Sequence, residues 1–295
     1  MVEKIITGVK YAVTLLCVLA VLLNLGLMTA LVWTTKLRIK HYQLVFNLTL
    51  ADLFFAALSL AFCWAEYHII YALFMTGYIA SVLTIVLLSV NSYLTASLTS
   101  SRYNALVRGR RLFLACLLVW CFSTLINLFP IVTGSAGVTL WMYGLFRPLT
   151  VFLSWLVIAV LYGLLFFKFR KRAPFVTVSP GTDAGPESSP GDTRIRRERC
   201  LLATFIIIPV ASFIFWMPYS VVRMTAFVDP GHFFNHYLDV AYWLSGSLYC
   251  MSAVLNPLIY LGRLDWFGER VYTQLDDSKE VDVEENEQST TNTLI

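Results

Sequence analysis

The stretch that decides the fold is Ser252-Ala253-Val254-Leu255-Asn256-Pro257-Leu258-Ile259-Tyr260, where Asn-Pro and Tyr interrupt an apolar segment of helix length. Proline inside a helix removes a backbone hydrogen bond and clashes with the preceding turn, at a cost of about 3 kcal/mol. A membrane helix tolerates such a break only where neighbouring groups satisfy the freed backbone atoms. We therefore expect Asn256, Pro257 and Tyr260 to mark a bend with a function.

The composition places this stretch in a membrane protein. Apolar residues make up 58% of the 295 positions, charged residues make up 14%, and the mean hydropathy is +0.70. Soluble domains carry about 45–50% apolar and about 25% charged residues. Segments long enough to cross a hydrocarbon layer of about 30 Å occur at roughly 8–34, 42–65, 69–98, 112–134, 145–168, 200–226 and 238–261. The sequence therefore predicts an all-α membrane protein, a bundle of seven transmembrane helices.

The basic residues predict the orientation of this bundle. One side of the predicted membrane carries 18 of the 22 lysines and arginines, and the other carries Lys4, Lys10, Arg147 and Arg223. The positive-inside rule places the N-terminus outside and the C-terminal tail in the cytosol. The net charge of +4 reflects this asymmetry and indicates no nucleic-acid partner. We expect a multi-pass protein in the lipid bilayer of the plasma membrane.

Polar and aromatic motifs stand in five of the predicted segments. They are Asn24 in segment one, Asn47-Leu48-Thr49-Leu50-Ala51-Asp52 in segment two, Trp120 in segment four, Phe215-Trp216-Met217-Pro218 in segment six and Asn256-Pro257-Leu258-Ile259-Tyr260 in segment seven. In this order, the motifs resemble those of the rhodopsin-like G-protein-coupled receptors over nearly the whole chain. The resemblance implies a receptor domain over 1–271, with a flexible third inner loop at 173–195 and a short amphipathic eighth helix near Trp266-Phe267. A disordered acidic tail would follow at 272–295.

The resemblance also implies a switch in the middle of the bundle. An ionisable residue at membrane depth, such as Asp52, is functional by default. Together with Ser81, Ser252 and Asn256 it would form the pocket that holds a sodium ion in family members. The alternative is a protonated Asp52 that is hydrogen bonded to the same partners. Trp216 above Pro218 resembles the rotamer switch of the family, although a core aromatic at a kinked helix would look the same. The predicted switch residues are Asn24, Asp52, Ser81, Trp216, Pro218, Ser252, Asn256, Pro257 and Tyr260.

The third segment departs from the family pattern. Where family members carry an acidic residue, Arg and Tyr, this chain carries Asn91-Ser92-Tyr93. The rival match, Ser101-Arg102-Tyr103, stands so close to Trp120 that it leaves no room for the second inner loop. We expect Asn91, Ser92 and Tyr93 to face the G protein, together with Glu198 at the acidic position of segment six. The missing arginine predicts either raised basal activity or weakened coupling.

The predicted ligand pocket is mostly aromatic. Such a pocket suits a small apolar or lipidic ligand with one polar handle. Arg223 would pair with an acidic head group, or it would only extend to the outer interface. The resemblance argues against an amine ligand, because Phe74 stands where amine receptors carry Asp. The predicted pocket residues are Phe74, Tyr78, Trp216, Tyr219, Arg223, Trp243 and Tyr249.

The positions of the cysteines indicate which subgroup of this receptor family the chain resembles. The second outer loop is expected at roughly 135–144 and contains no cysteine, so the disulfide of most family members cannot form. The group of melanocortin, cannabinoid and lysolipid receptors shares this feature. The four histidines make no metal-binding spacing with carboxylates or thiols. We therefore expect no enzyme and no cofactor other than the sodium ion.

The tail predicts two kinds of cytosolic partner. Acidic residues precede Ser289, Thr290 and Thr291, a pattern that resembles receptor-kinase sites whose phosphates recruit arrestins. Thr293 and Ile295 resemble the terminal ligand of PDZ domains, which bind an extended peptide and its free carboxylate. The alternative for both is a tail that serves solubility alone.

Three functions remain open from the sequence. The first is a receptor that transduces the binding of an unidentified ligand, or its own basal activity, to heterotrimeric G proteins through movement of the sixth segment. The second is a receptor fold uncoupled from G proteins that acts as an arrestin-biased or scavenger receptor or as a scaffold. The third, a transporter, is disfavoured because no inverted repeat and no pair of broken helices is evident.

Overall fold

The protein is helical in every part that the structure, a computed structural model, describes with secondary structure. The description covers residues 2–33, 40–65, 67–172, 207, 210–211, 213–228 and 236–261. The helices are α1 Val2–Trp33, α2 Lys40–Ala65, α3 His68–Ser97, α4 Ser100–Leu106, α5 Gly109–Thr133, α6 Ala136–Trp141, the π-helical turn Met142–Phe146, α7 Arg147–Arg172, α8 Phe213–Val228 and α9 His236–Leu261.

Apolar length explains which helices form the bundle. Within the described ranges, five helices are long and apolar enough to cross a membrane: α1, α2, α3, α5 and the continuous helix Ala136–Lys168. The apolar helix α8 is shorter, and α9 carries Pro257 in its interior. Each of the seven predicted segments overlaps one of these helices. The first helix starts at Val2, before the predicted residue 8.

Helix α3 lies at the centre of the bundle. It packs against α2, α5 and α7, while α1 packs against α2 and α9. Helices α2 and α3 approach closely at Gly77 of α3, where an added Cβ would lie 2.8 Å from the backbone nitrogen of Phe55 and 3.0 Å from the carbonyl oxygen of Ala51. Small residues allow membrane helices to approach this closely. Gly77 therefore sets the distance between α2 and α3.

The predicted outer loop at 135–144 is wrong, because most of it is helical. Helix α5 ends at Thr133, and Gly134 follows in the left-handed region with φ 61°. Ser135 then caps α6, since its hydroxyl accepts a hydrogen bond from the backbone N–H of Val138 at 3.5 Å. The helix continues through the π-helical turn into α7. A short turn at Gly134 and Ser135 thus joins α5 to α6, in place of the predicted loop.

Several predicted features lie outside the described residues. They are the loop at 173–195, Glu198, the eighth helix near Trp266-Phe267, the tail at 272–295, the hydroxyl residues Ser289, Thr290 and Thr291, and the terminal Thr293 and Ile295. These features stay predictions from the sequence.

Candidate functional site

A buried polar network joins three helices around Asp52. The Asp52 side chain is only 2% exposed. Its Oδ1 atom accepts a hydrogen bond from the Ser81 hydroxyl of α3 at 2.5 Å, and its Oδ2 atom accepts one from Nδ2 of Asn256 of α9 at 2.8 Å. Each carboxylate oxygen therefore has a hydrogen-bond partner, one on α3 and one on α9.

Ser252 lies near this network but has a different partner from the one expected. Its hydroxyl accepts a hydrogen bond from the indole Nε1 of Trp216 at 3.2 Å, which joins α9 to α8. A cavity of about 20 Å³ lies beside it, lined in part by Phe215, Ser252, Asn256 and Tyr260. A volume of that size holds about one water molecule. The predicted switch residues therefore form two adjoining contacts on successive turns of α9.

Asn24 replaces the backbone hydrogen bond that Pro257 removes from α9. Proline at 257 has no N–H, so the carbonyl of Ala253, four residues earlier, loses its helical partner. The Asn24 side chain of α1 donates a hydrogen bond from Nδ2 to this carbonyl at 3.0 Å and a second one to the Ala20 carbonyl at 2.8 Å. Asn24 is fully buried. A polar side chain at membrane depth thus satisfies a freed backbone group, as the bilayer requires.

A second buried amide ties α2, α3 and α5 together. Nδ2 of Asn47 donates to the Thr84 hydroxyl at 2.8 Å, and Oδ1 of Asn47 accepts from the indole Nε1 of Trp120 at 3.1 Å. The sequence singled out Asn47 and Trp120 as separate motifs. The motifs did not indicate that the two side chains are in contact, and Thr84 was not among the predicted site residues.

The inner end of α3 carries the predicted G-protein-facing residues. The Ser92 hydroxyl donates a hydrogen bond to the Leu88 carbonyl of its own helix at 2.8 Å. Serine carries no charge, so it does not replace the missing arginine. The Asn91 Oδ1 atom accepts a hydrogen bond from the Tyr103 hydroxyl at 2.9 Å. The rival motif Ser101-Arg102-Tyr103 lies in α4, which begins after α3 ends at Ser97. The hydrogen bond between Tyr103 and Asn91 thus joins α4 to α3.

The structure divides the predicted ligand residues between two outer cavities. Phe74, Tyr219, Trp243 and Tyr249 line a cavity of about 50 Å³, and Tyr78 stacks on Tyr249 with ring centroids 3.5 Å apart. Trp216 lies one turn before Tyr219 on α8 and is 1% exposed. The structure thus brings most of the predicted residues into one aromatic layer.

Arg223 lines a different and larger cavity, of about 750 Å³. Its neighbours in the wall include Tyr71, Tyr143 and Phe227, and its guanidinium carbon lies 5.8 Å from the ring centroid of Tyr242. The side chain is only partly exposed. Arg223 thus lines a cavity, and its two predicted roles, pairing with an acidic head group or extending to the outer interface, stay predictions.

Arg147, one of the four basic residues assigned to the outer side of the membrane, is buried in the bundle. Its side chain is 1% exposed at the start of α7. Its Nη1 atom donates to the Tyr71 hydroxyl at 2.8 Å, and its Nη2 atom donates to Oδ1 of Asn127 at 2.5 Å. The guanidinium carbon lies 4.1 Å from the ring centroid of Tyr143. Hydrogen bonds and a cation–π contact together hold this cation inside the bundle.

Sequence reasoning missed the cluster of Tyr71, Asn127, Tyr143 and Arg147. One signal could have found it, namely a lone arginine inside a predicted transmembrane segment, which by rule faces the bundle interior or a water-filled cavity. The π-helical turn 142–146 precedes Arg147 directly, and π-helical turns are frequent at functional sites.

Comparison with known proteins gives a consistent family assignment. The family model of the 7 transmembrane receptor (rhodopsin family) matches residues 23–260. The chain is 26% identical over 263 residues to neuromedin-U receptor 2 of Homo sapiens, covering 73% of this chain and 59% of that receptor. It is 30% identical over 121 residues to trace amine-associated receptor 6 of Rattus norvegicus, covering 39% of this chain and 32% of that receptor. The chain thus spans less than two thirds of the length of the curated relatives that it matches.

Proposed function

This chain belongs to the rhodopsin family of seven-transmembrane receptors, and we propose that it is a plasma-membrane receptor with its N-terminus outside. It binds a small ligand with a largely apolar body in the outer cavities. Movement of α8 then passes the signal to heterotrimeric G proteins at the cytosolic end.

One observation carries this proposal: contacts run from the outer cavities to the inner polar network. Tyr219 lines the aromatic cavity and lies one turn from Trp216 on α8. Trp216 bonds to Ser252, and one turn further along α9 Asn256 bonds to Asp52. A ligand that displaces Tyr219 would therefore change how α8 sits on α9.

The proposal includes a sodium ion at Asp52. Hard cations take oxygen ligands, and the site offers the Asp52 carboxylate and the Ser81 hydroxyl. The buried Oδ1 atom of Asn24 accepts no hydrogen bond within the described part of the chain. That part also contains no group of three or more His, Cys, Asp or Glu able to hold a metal ion, so a single carboxylate would face a single positive charge. A protonated Asp52 is the alternative.

The relatives are named for neuromedin U and for trace amines, and the larger outer cavity of this chain disfavours an amine. The trace amine-associated receptor aligns with 39% of this chain. The larger outer cavity is lined by Arg223, and a cation in the wall repels an amine. We propose a ligand that is not an amine.

A receptor fold uncoupled from G proteins is the second candidate, and Ser92 is the observation that favours it. Ser92 stands where the family pattern has the arginine that reaches the G protein. The Ser92 hydroxyl instead donates a hydrogen bond within its own helix. Such a protein would act through arrestins, as a scavenger receptor or as a scaffold. In either case we propose receptor kinases and arrestins as partners of Ser289, Thr290 and Thr291, and a PDZ domain as the partner of Thr293 and Ile295.

Basal G-protein activation in transfected cells tests the proposal. We would compare the native chain with Ser92→Arg and with Thr95→Arg, a control that adds the same charge one turn away at an exposed position of α3. We expect the native chain to exceed mock-transfected cells at matched surface expression. A silent native chain with an active Ser92→Arg variant and a silent Thr95→Arg variant would overturn coupling and favour the uncoupled receptor.

A further inference from the structure

The outer end of the bundle carries two arginines whose charge is not balanced by any described carboxylate. Glu3 and Asp52 are the carboxylates with described side chains, and neither forms an ion pair with Arg147 or Arg223. The Nε atoms of both arginines are buried and have no hydrogen-bond partner among the described residues. Among the described residues, the two arginines therefore have spare hydrogen-bond donors as well as unbalanced charge.

Burial makes this imbalance energetically important. A buried ion without a counter-charge has lost its hydration, and the loss amounts to several kcal/mol in real proteins. The neutral partners of Arg147, namely Tyr71, Asn127 and Tyr143, satisfy part of its hydrogen-bonding capacity but do not cancel its charge. An anion that enters the adjoining cavity would interact with both cations at low dielectric, where the attraction is several times stronger than in water.

Tyr71 connects the two arginines to the cavity. Its oxygen accepts the hydrogen bond from Arg147, and its hydroxyl shares a second hydrogen bond of 3.1 Å with the hydroxyl of Tyr219, in which either group can donate. With Tyr219 as the donor of that bond, the proton of Tyr71 is available to a ligand. Tyr71 and Arg223 both line the cavity of about 750 Å³. The rest of the wall is largely apolar, with Pro130, Ile131, Leu140 and Phe227. The cavity thus has a cationic, hydrogen-bond-donating part beside an apolar part, and its volume lies in the usual range for small-molecule sites.

We propose that this cavity binds an anionic head group, a carboxylate, sulfate or phosphate, of a ligand whose body is aromatic or alkyl. Arg223 contacts the head group directly, and the Tyr71 hydroxyl, held by Arg147, donates a hydrogen bond to it. This inference rests on the proposed receptor function and specifies the ligand class of the same site.

Direct binding to the purified full-length chain in nanodiscs of neutral phosphatidylcholine tests the inference. The probes are phenylvalerate, phenylpentyl sulfate and phenylpentyl phosphate, with phenylpentanol and phenylpentylammonium as neutral and cationic analogues of the same body. Affinities come from the ligand-concentration dependence of the melting temperature. We expect at least one anion to bind about tenfold or more tightly than the alcohol, because hydrogen bonds to a charged group are roughly twice as strong as those between neutral groups. The comparison of the three anions identifies the preferred head group.

Variants distinguish a subsite from a general apolar cavity. Arg223→Gln is expected to lower the affinity for the preferred anion about tenfold or more while the affinity for the alcohol stays unchanged. Arg223→Lys retains the charge and is expected to retain part of the affinity. Lys10→Gln is the matched control, since Lys10 lies against Trp243 and away from the cavity wall. Unchanged anion binding by Arg223→Gln, equal binding of alcohol and anions, or no binding of any anion at millimolar concentration would each overturn the inference. Because no G protein is present, these outcomes are separate from a failure of coupling.

Discussion

The Nδ2 atom of Asn24 lies 3.0 Å from the carbonyl oxygen of Ala253, the one carbonyl of α9 that Pro257 leaves without its helical partner. A side chain from α1 thereby closes the gap that a proline opens in a helix more than two hundred positions away. The contact explains how α9 keeps a proline at membrane depth, and it also attaches α1 to the bend.

This relationship predicts a specific coupling between Asn24 and Pro257. We expect Asn24→Leu to lower the free energy of unfolding by about 1 kcal/mol, because it leaves a buried carbonyl unsatisfied. In a Pro257→Ala background the restored N–H of residue 257 can bond to Ala253, so the same substitution should cost less. Thermal unfolding of the four purified proteins measures the cycle. Equal costs in both backgrounds would show that Asn24 stabilises the protein in another way.

Gly77 is expected to tolerate no added methyl group. The new Cβ of Gly77→Ala would lie 2.8 Å from the backbone nitrogen of Phe55, and backbone cannot yield as a flexible side chain can. We expect a destabilisation of about 1–3 kcal/mol, seen as a lower melting temperature. Gly163→Ala is the control, since nothing lies within 4 Å of its added Cβ, and the better helix propensity of alanine should leave stability equal or slightly higher. Equal melting temperatures for the two variants would contradict the close approach of α2 and α3.

A sodium ion at Asp52 would make stability depend on the cation in the buffer. We expect a higher melting temperature in sodium chloride than in choline chloride at equal ionic strength, because a ligand that binds the folded state stabilises it. Asp52→Asn keeps the side-chain shape and removes the charge, so its melting temperature should be the same in both salts. A native protein that is indifferent to sodium would support the protonated carboxyl instead.

The hydrogen bond of 2.9 Å between Tyr103 and Asn91 is expected to hold α4 against the end of α3. Tyr103→Phe removes the hydroxyl and should cost about 0.5–1.5 kcal/mol, felt mainly as faster amide hydrogen exchange across Ser100–Leu106. Tyr93→Phe is the matched control, since the Tyr93 hydroxyl makes no hydrogen bond within the described residues. Equal exchange in α4 of both variants would refute the role of the hydrogen bond.

The sequence predicted the helices well where an apolar run has the length of a membrane span. The segment expected at 69–98 corresponds to α3, His68–Ser97. Residues 135–144 were expected to form a loop, although most of them are helical. Gly144 is suited to that place because an added Cβ would lie 2.8 Å from the Phe227 ring, and this contact depends on a residue of α8 that no local pattern reveals.

Polar partners were harder to predict than polar positions. Ser252 was expected beside Asp52, but its hydroxyl accepts a hydrogen bond from the indole of Trp216, because a small rotation of α9 decides which neighbour the hydroxyl reaches. Arg147 is a lone arginine inside a predicted span, which indicates an interior position, but the sequence does not show which groups surround it. Its interior position follows from Asn127 and Tyr143, which present a polar, aromatic pocket on the facing elements.

The sequence by itself determined the class of this protein: a membrane-spanning helical bundle with the ordered motifs of the rhodopsin family. Hydropathy and motif order are local properties of the chain, so they can be read without a fold. The tertiary structure alone decided which buried polar groups meet, as when Asn256 bonds to Asp52 across 204 positions. A hydrogen bond is formed only within about 3 Å and at a narrow range of angles, and the rotation and tilt of packed helices set those distances.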